Sequence, residues 1–177
     1  MKSLLIGSAI LVALAAIAIL AGSLLPREHL ATVRARYAAA PDRLWSVLSD
    51  PARAASWRTD LKSVELLPPT NGQTAWREES RFGKVEYVMA ELSPPGRMIT
   101  RISNENLPYG GQWEYMLTPL GDGSELSITE RGFVKSALFR LMARLFFGYT
   151  SSLEGYHRAL GKRFGEVVSP EIIASGR

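Results

Sequence analysis

Apolar side chains recur at helical spacing near the end of the chain, after a run of strand-like segments. They are Leu138, Met142, Leu145, Phe146, Tyr149, Leu153, Tyr156, Leu160 and Phe164. This periodicity predicts one long helix over residues 135–168, with an apolar face that must be covered. The alternating segments before it supply the other large apolar surface. We therefore expect the helix to lie across a curved antiparallel sheet, with a cavity between them.

The strand-like segments begin with residues 29–39, where Ala31, Val33, Ala35 and Tyr37 share one side, as a half-buried strand requires. Further strands are expected over residues 63–67, 73–81, 84–92, 97–104, 112–120 and 124–134, mostly separated by Gly and Pro. Two short helices, one starting at Pro41 and one over residues 52–57, should follow the first strand. The sequence thus predicts an α+β domain with about seven strands.

The N-terminal segment carries no charged residue from position 3 to position 25. As a helix it would be about 34 Å long, enough to cross a hydrocarbon core of about 30 Å. It therefore predicts one transmembrane helix, with a cleaved signal peptide ending near residue 23 as the alternative. The expected organisation is an anchor over residues 1–26, a domain over 27–168 and a frayed tail over 169–177. The charge pattern favours placing the domain outside the cytoplasm.

Composition narrows the possible partners. The formal net charge is +4, and Lys and Arg alternate with Glu through most strands instead of clustering, so we expect no nucleic-acid partner. The chain has no cysteine, which excludes disulfides and thiolate chemistry. Small residues in the N-terminal segment permit helix contacts without requiring them, and the oligomeric state stays open.

Motifs for catalysis are scarce. The two histidines, His29 and His157, are expected to be ordinary surface residues, and their spacing suggests neither a catalytic triad nor a metal site. The glycine pairs lie in turns and lack the pattern of a phosphate-binding loop. We expect no metal and no cofactor.

The predicted sheet interior offers a candidate binding site. Strand alternation places Glu78 on the same face as Trp76, and Glu130 on the same face as Leu126 and Ile128. A buried carboxylate needs a partner such as Arg101, or a position near the wet mouth of the cavity. Three roles stay open for these acids: structural ion pairing, ligand binding and acid–base catalysis. The aromatic residues are equally open to core packing or to lining a pocket.

The order of elements resembles the helix-grip fold of the START-like superfamily. The segment Ala40-Pro41-Asp42-Arg43-Leu44-Trp45-Ser46-Val47-Leu48-Ser49-Asp50-Pro51, followed by Trp57, is similar to the start of the polyketide cyclase/dehydrase and lipid-transport family, also called SRPBCC. Residues 108–113, 128–132, 138–140 and 160–166 resemble a membrane-anchored bacterial subgroup of that family. The resemblance implies a helix-grip domain at the bacterial inner membrane.

The function expected from residues and resemblance together is a single-pass, membrane-anchored module that binds a hydrophobic small molecule or lipid. A cofactor-free cyclase or dehydratase and an assembly or co-chaperone role are the alternatives. The candidate pocket residues are Trp57, Trp76, Glu78, Tyr87, Met89, Arg101, Trp113, Tyr115, Glu130, Met142, Phe146 and Tyr149.

Overall fold

The computed structural model describes residues 2–142, 144–145 and 148–176, with the side chains of all but residues 2–6 and 9. The helices are α1 (Lys2–Ser23), α2 (Pro41–Leu48), a 3-10 helix (Pro51–Ser56), α3 (Ala137–Met142) and α4 (Ser151–Arg163). The strands are β1 (Glu28–Tyr37), β2 (Leu61–Thr70), β3 (Gln73–Ser80), β4 (Gly83–Ser93), β5 (Arg97–Ile102), β6 (Tyr109–Leu120), β7 (Gly123–Val134) and β8 (Glu171–Gly176).

All eight strands form one antiparallel sheet in the order β2-β3-β4-β5-β6-β7-β1-β8. Seven of them were expected. The prediction of a frayed C-terminal tail is wrong, because residues 171–176 pair with β1 as the edge strand β8. The sheet also gains residues at the start of β6, where Tyr109 and Gly110 pair with β7 although the sequence placed them in a turn.

Strand alternation divides the sheet into an inner and an outer face. Ala31, Val33, Ala35 and Tyr37 are buried, as predicted for the first strand. The inner face of the other strands continues this core, and α4 covers it. Burying these apolar side chains supplies most of the driving force for folding. The two short helices after β1 are confirmed at Pro41–Leu48 and Pro51–Ser56.

The long helix expected over residues 135–168 is two helices, α3 and α4, so that prediction is wrong in this respect. Gly148 lies between them with a φ of +67°, a left-handed conformation that an α-helix cannot contain. The apolar periodicity continued through the break because both helices use the same spacing. Consequently α3 contacts α1, whereas α4 packs on the sheet.

The prediction that His157 is a surface residue is also wrong. His157 is fully buried on α4. Its Nε2 lies 3.1 Å from the carbonyl oxygen of Val33, and its Nδ1 lies 2.8 Å from the hydroxyl oxygen of Tyr37. Since a carbonyl only accepts, Nε2 carries the hydrogen and Nδ1 accepts from the Tyr37 hydroxyl. Burial lowers the pKa of His157 to about 4, so the ring is neutral near pH 7.

Helix α1 is attached to the domain through a buried arginine. The Nε of Arg140 donates to the carbonyl oxygen of Gly22 at 2.9 Å, and its Nη1 donates to the carbonyl oxygens of Val134 and Lys135. A Cβ at Gly22 would collide with the backbone of Ala137, so the close approach of α1 and α3 requires glycine. These contacts join the C-terminal end of α1 to the end of β7.

Most of the described apolar side chains of α1 are exposed. They include Ile10, Leu11, Val12, Leu14, Ile17, Ile19 and Leu20. Over the residues that the structure describes, no helix reaches the length and hydropathy that crossing a membrane requires.

The neutral, buried His157 makes stability depend on pH. Its folded-state pKa of about 4 lies below the ordinary value of 6.5, so the unfolded chain binds the extra proton as the pH falls from 6.5 to 4. We expect the free energy of unfolding to fall in this window, by on the order of 3 kcal/mol from this group. Urea titrations at several pH values measure this.

The matched variant is His157→Gln, which removes the titrating group. It should be less stable at pH 7 but show a shallower fall between pH 6.5 and pH 4. An unchanged pH slope in this variant would contradict the assignment to His157, because carboxylates titrating in the same window would then account for it.

Candidate functional site

Aromatic rings fill the space between α4 and the inner face of the sheet. Tyr156 on α4 is at the centre of this cluster. Its ring centroid lies 5.2 Å from that of Trp57, 5.6 Å from that of Trp113 and 5.8 Å from that of Tyr115. The first two contacts are edge-to-face, a favourable arrangement for aromatic pairs. Trp76 and Tyr87 add a fifth and a sixth ring, which stack on each other at 5.6 Å between centroids.

A charged pair lies against this aromatic cluster. The Nη1 of Arg58 donates to both carboxylate oxygens of Glu78, at 3.0 and 2.9 Å, and its Nη2 donates to Asp60 at 2.7 Å. The indole Nε1 of Trp76 donates to the same carboxylate at 3.2 Å. The guanidinium carbon of Arg58 also lies 5.5 Å from the ring centroid of Tyr156. Burial disfavours the Arg58 cation, but Glu78 and Asp60 outweigh this effect and raise its pKa.

The pair and the rings border a small, partly open cavity of about 30 Å³, room for one or two water molecules. It is far smaller than the roughly 300 Å³ at which small-molecule sites begin. Its walls are Val47, Leu48, Asp50, Pro51, Ala54, Trp57, Arg58, Trp76, Glu78, Met89, Met98, Thr100, Tyr115 and Tyr156. In this conformation a ligand larger than water must displace side chains to enter.

Three phenols near this cavity are held neutral. Burial is the main cause that raises the pKa of Tyr87, Tyr115 and Tyr156. Glu78 adds to the effect on all three, and Arg58 partly opposes it. Neutral phenols donate and accept hydrogen bonds but do not act as bases at neutral pH. The site therefore offers polar contacts within an apolar wall.

A second cluster lies on the inner face at the end of the sheet near α1. The Nε2 of His29 lies 3.2 Å from Oε1 of Glu130, and the imidazole stacks on Tyr149 at 4.4 Å between centroids. The other nitrogen, Nδ1, is buried without a hydrogen-bond partner. His29 is therefore not the surface residue that the sequence suggested. A histidine paired with a carboxylate is a common arrangement for moving a proton.

Most of the predicted pocket residues do come together on the inner face. Trp57, Trp76, Glu78, Met89 and Tyr115 line the cavity, while Tyr87, Trp113, Glu130 and Tyr149 lie around it or at its α1 end. Arg101 does not belong there. Its side chain is on the outer face and pairs with neither acid, because its neighbours Met98 and Thr100 occupy the inward positions. Met142 is exposed on α3, and Phe146 lies outside the described residues.

Sequence reasoning missed three members of the site. Tyr156 was recognised as part of the helical stripe but not as a pocket residue, and Arg58 follows the 3-10 helix where no periodicity assigns a direction. His29 was dismissed for lack of a motif. Its alternation with Ala31 was the available signal that it faces inward. Within the described residues, no group of three or more His, Asp or Glu side chains is placed to hold a metal ion.

The family model described as Polyketide cyclase / dehydrase and lipid transport matches residues 28–160. The chain belongs to this family. The match includes β1 through most of α4, and so contains both the aromatic cluster and the His29–Glu130 pair. A search of curated proteins returned no match.

Solved structures show the same fold. A START superfamily protein from Mycobacterium smegmatis aligns with a TM-score of 0.58 at 19% identity, covering 76% of this chain and 96% of its own. Truncated norcoclaurine synthase from Thalictrum flavum aligns with a TM-score of 0.60 at 14% identity, covering 77% and 93%. The di-domain ARO/CYC BexL from the BE-7585A biosynthetic pathway aligns with a TM-score of 0.56 at 15% identity, covering 82% and 49%. At these identities the likeness establishes the helix-grip fold.

Removing one partner of the Arg58–Glu78 ion pair should destabilise the fold, because the other charge would stay buried without its partner. We expect Glu78→Gln to lower the free energy of unfolding by about 2–3 kcal/mol, less than many broken buried pairs because Asp60 still contacts Arg58. The double variant Arg58→Met with Glu78→Gln should lose less than the sum of the single losses. Urea denaturation of the four proteins measures this coupling.

The exposed pair Arg158–Glu154 on α4 provides the control, with Nη2 and Oε2 2.7 Å apart. The same cycle with Arg158→Met and Glu154→Gln should give a coupling below about 1 kcal/mol. Equal coupling free energies for the two pairs would show that burial does not strengthen the interaction between Arg58 and Glu78.

Proposed function

We propose that this protein binds a hydrophobic small molecule or lipid between the inner face of the sheet and α4, and that α1 attaches it to a membrane. The observation that carries the proposal is the aromatic cluster around Tyr156, beside a charged pair that lies within an otherwise apolar interior. Ligand sites are typically apolar, with a few polar groups that orient the ligand. Arg58, Glu78 and the neutral phenols are such groups.

The end of the sheet near α1 is the proposed entrance. Trp113 lies on that side of the cavity, since it is opposite Glu130 of β7 in the sheet and Glu130 is opposite Ala31, near the start of β1. The helix break at Gly148 is beside the same end, where Tyr149 stacks on His29. Because Gly148 separates α3 from α4, either helix can move by breaking fewer contacts than a single continuous helix would have to break. A ligand therefore enlarges the cavity of about 30 Å³ by moving side chains at this end.

A test of binding uses Trp113, which contacts Tyr156 without belonging to the wall of the small cavity. Delipidated protein should bind a fluorescent fatty acid or sterol saturably. Trp113→Ala should weaken that affinity by roughly tenfold, because an aromatic contact of about 1.4 kcal/mol is lost. Fluorescence titration gives both dissociation constants.

Phe82→Ala is the matched control, since Phe82 is an exposed aromatic residue in the β3–β4 turn and should not affect affinity. Failure of the wild-type protein to bind any member of a broad apolar panel would sink the proposal. The second candidate function, a cofactor-free cyclase or dehydratase, is favoured by the His29–Glu130 pair. It replaces the binding role if the ligand is recovered chemically changed and Glu130→Gln stops that change without lowering affinity.

Membrane attachment is supported by the surroundings of α1. Its exposed side chains Leu11, Val12, Leu14 and Ile17 project in different directions around the helix, so one protein surface could cover only some of them. A helix that is apolar on all sides is typical of an apolar environment. The absence of charge from residue 3 to residue 25 is consistent with this environment. The orientation that we propose places the domain outside the cytoplasm of a bacterial cell.

Attachment through α1 predicts that the protein stays in the membrane pellet after carbonate extraction. Replacing Leu14 and Ile17 with Lys should release a substantial fraction, because each charge costs about 3 kcal/mol at the centre of a membrane helix. Immunoblots of pellet and supernatant measure the release. The control variant, Leu120→Lys with Phe82→Lys, puts the same charges on exposed positions of the domain and should stay in the pellet.

The side of the membrane on which the domain lies is measured on the same membranes. Asp122→Cys, in the exposed β6–β7 turn of this cysteine-free chain, should react with a membrane-impermeant maleimide in intact spheroplasts. Labelling only after lysis would place the domain in the cytoplasm. Full release of the wild-type chain by carbonate would exclude attachment through α1.

A further inference from the structure

The outer face of the sheet carries six strand arginines, of which four are neutralised by acids of neighbouring strands. Arg34 and Arg36 pair with Glu125, and Arg34 also pairs with Glu171. Arg77 pairs with Glu65 and Glu86, and Arg97 pairs with Glu91 and Glu114. The remaining two are Arg101 on β5 and Arg131 on β7.

Arg101 and Arg131 are on either side of a neutral residue. The register aligns Arg101 with Gln112 and Gln112 with Arg131, so a glutamine occupies the position between the two cations. Among the described residues neither arginine forms an ion pair with a carboxylate, and both side chains are exposed. Two guanidinium groups without internal counter-ions are available to an external anion.

These arginines line an open groove of about 720 Å³ at the end of β5, β6 and β7. Lys135 adds a third cation, and its Nζ donates to the backbone oxygen of Glu105 at 2.6 Å. Glu105 is the one acid among the lining residues, so the groove is basic. Phe133 gives the groove an apolar wall, with 39% of its surface exposed. The groove thus combines positive charge with apolar surface.

The groove is at the end of the sheet where α1 joins the domain. Phe133 is paired with Glu28, the first residue of β1, and the amide of Val134 donates to the carbonyl oxygen of Arg27 at 2.8 Å. Arg140 fastens the last turn of α1 to the backbone of Val134 and Lys135. If α1 is in a bilayer, this end of the sheet faces the lipid headgroups.

We propose that Arg101, Arg131 and Lys135 bind the phosphate of an anionic phospholipid in the membrane that α1 enters. Guanidinium groups match phosphate oxygens in geometry as well as charge, and Phe133 contacts the carbons next to the phosphate. The open shape of the groove suits a headgroup that stays in its bilayer better than it suits a small enclosed anion. This site rests on the membrane attachment proposed above and is separate from the interior site.

The test uses the full chain in neutral detergent micelles, with phosphatidylglycerol or phosphatidylcholine added in equal amounts. Native mass spectrometry counts the lipid molecules retained by each protein. The wild type should retain phosphatidylglycerol over phosphatidylcholine by roughly thirtyfold or more, as expected from at least two basic contacts at a lipid surface. Arg101→Gln with Arg131→Gln should reduce that ratio to a few-fold at most, because only Lys135 remains. The expected preference also falls with added salt.

Lys62→Gln with Arg81→Gln is the matched control, because it removes two exposed cations that form no ion pair with an acid among the described residues and gives the same net charge. The control should keep the wild-type ratio. Equal loss in both double variants, or no wild-type preference, would overturn the proposed site, as would complete displacement of phosphatidylglycerol by inorganic phosphate. Carbonate extraction tests attachment through α1 in a separate experiment. If carbonate releases the wild-type protein, the lipid ratio measured in micelles still tests the groove.

Discussion

The close covering of the inner sheet face by α4 is the constraint on which the rest of the structure depends. Leu153, Tyr156, His157 and Leu160 are all buried on one side of this helix. His157 fixes the position of α4 over the sheet, because its two ring nitrogens form hydrogen bonds with the carbonyl of Val33 and the hydroxyl of Tyr37, both on β1. The register between β1 and β8 shifts at Thr32/Val33, next to the carbonyl that His157 uses. A helix held in this way brings Tyr156 against the aromatic residues of β6.

This covering also determines what the interior can do. Six rings and a charged pair occupy the space in which a ligand would lie, leaving a cavity of about 30 Å³. The rings stabilise the closed form by burying large apolar areas. Each polar atom of the Glu78 carboxylate has a partner in Arg58 or Trp76, so the pair does not favour an open state. Under the proposed binding function, a ligand must supply comparable contacts, which selects for molecules that are mainly apolar.

Local patterns predicted the parts of this protein whose burial follows from strand alternation. The inward direction of Trp76, Glu78, Trp113 and Tyr115 could be predicted because one face of each strand must be covered. The partner of Glu78 could not be predicted, since Arg58 follows an irregular segment whose direction depends on tertiary packing. The edge strand β8 was missed for a related reason. Most of its residues are exposed, and the free edge of β1 gives its backbone hydrogen-bond partners.

The helix break shows that apolar periodicity does not reveal where a helix ends, which depends on backbone conformation. Apolar spacing correctly predicted burial of Leu153, Tyr156 and Leu160 on α4, but Leu138, Met142 and Leu145 are exposed. The spacing gave no weight to Gly148, where the helix is interrupted. Because the chain turns there, α3 packs with α1 while α4 stays on the sheet. The inner cluster of His29, Glu130 and Tyr149 and the outer groove of Arg101 and Arg131 then lie at the same end of the sheet, on opposite faces. The two proposed sites therefore share the end of the sheet where α1 joins the domain, but the sheet itself separates them.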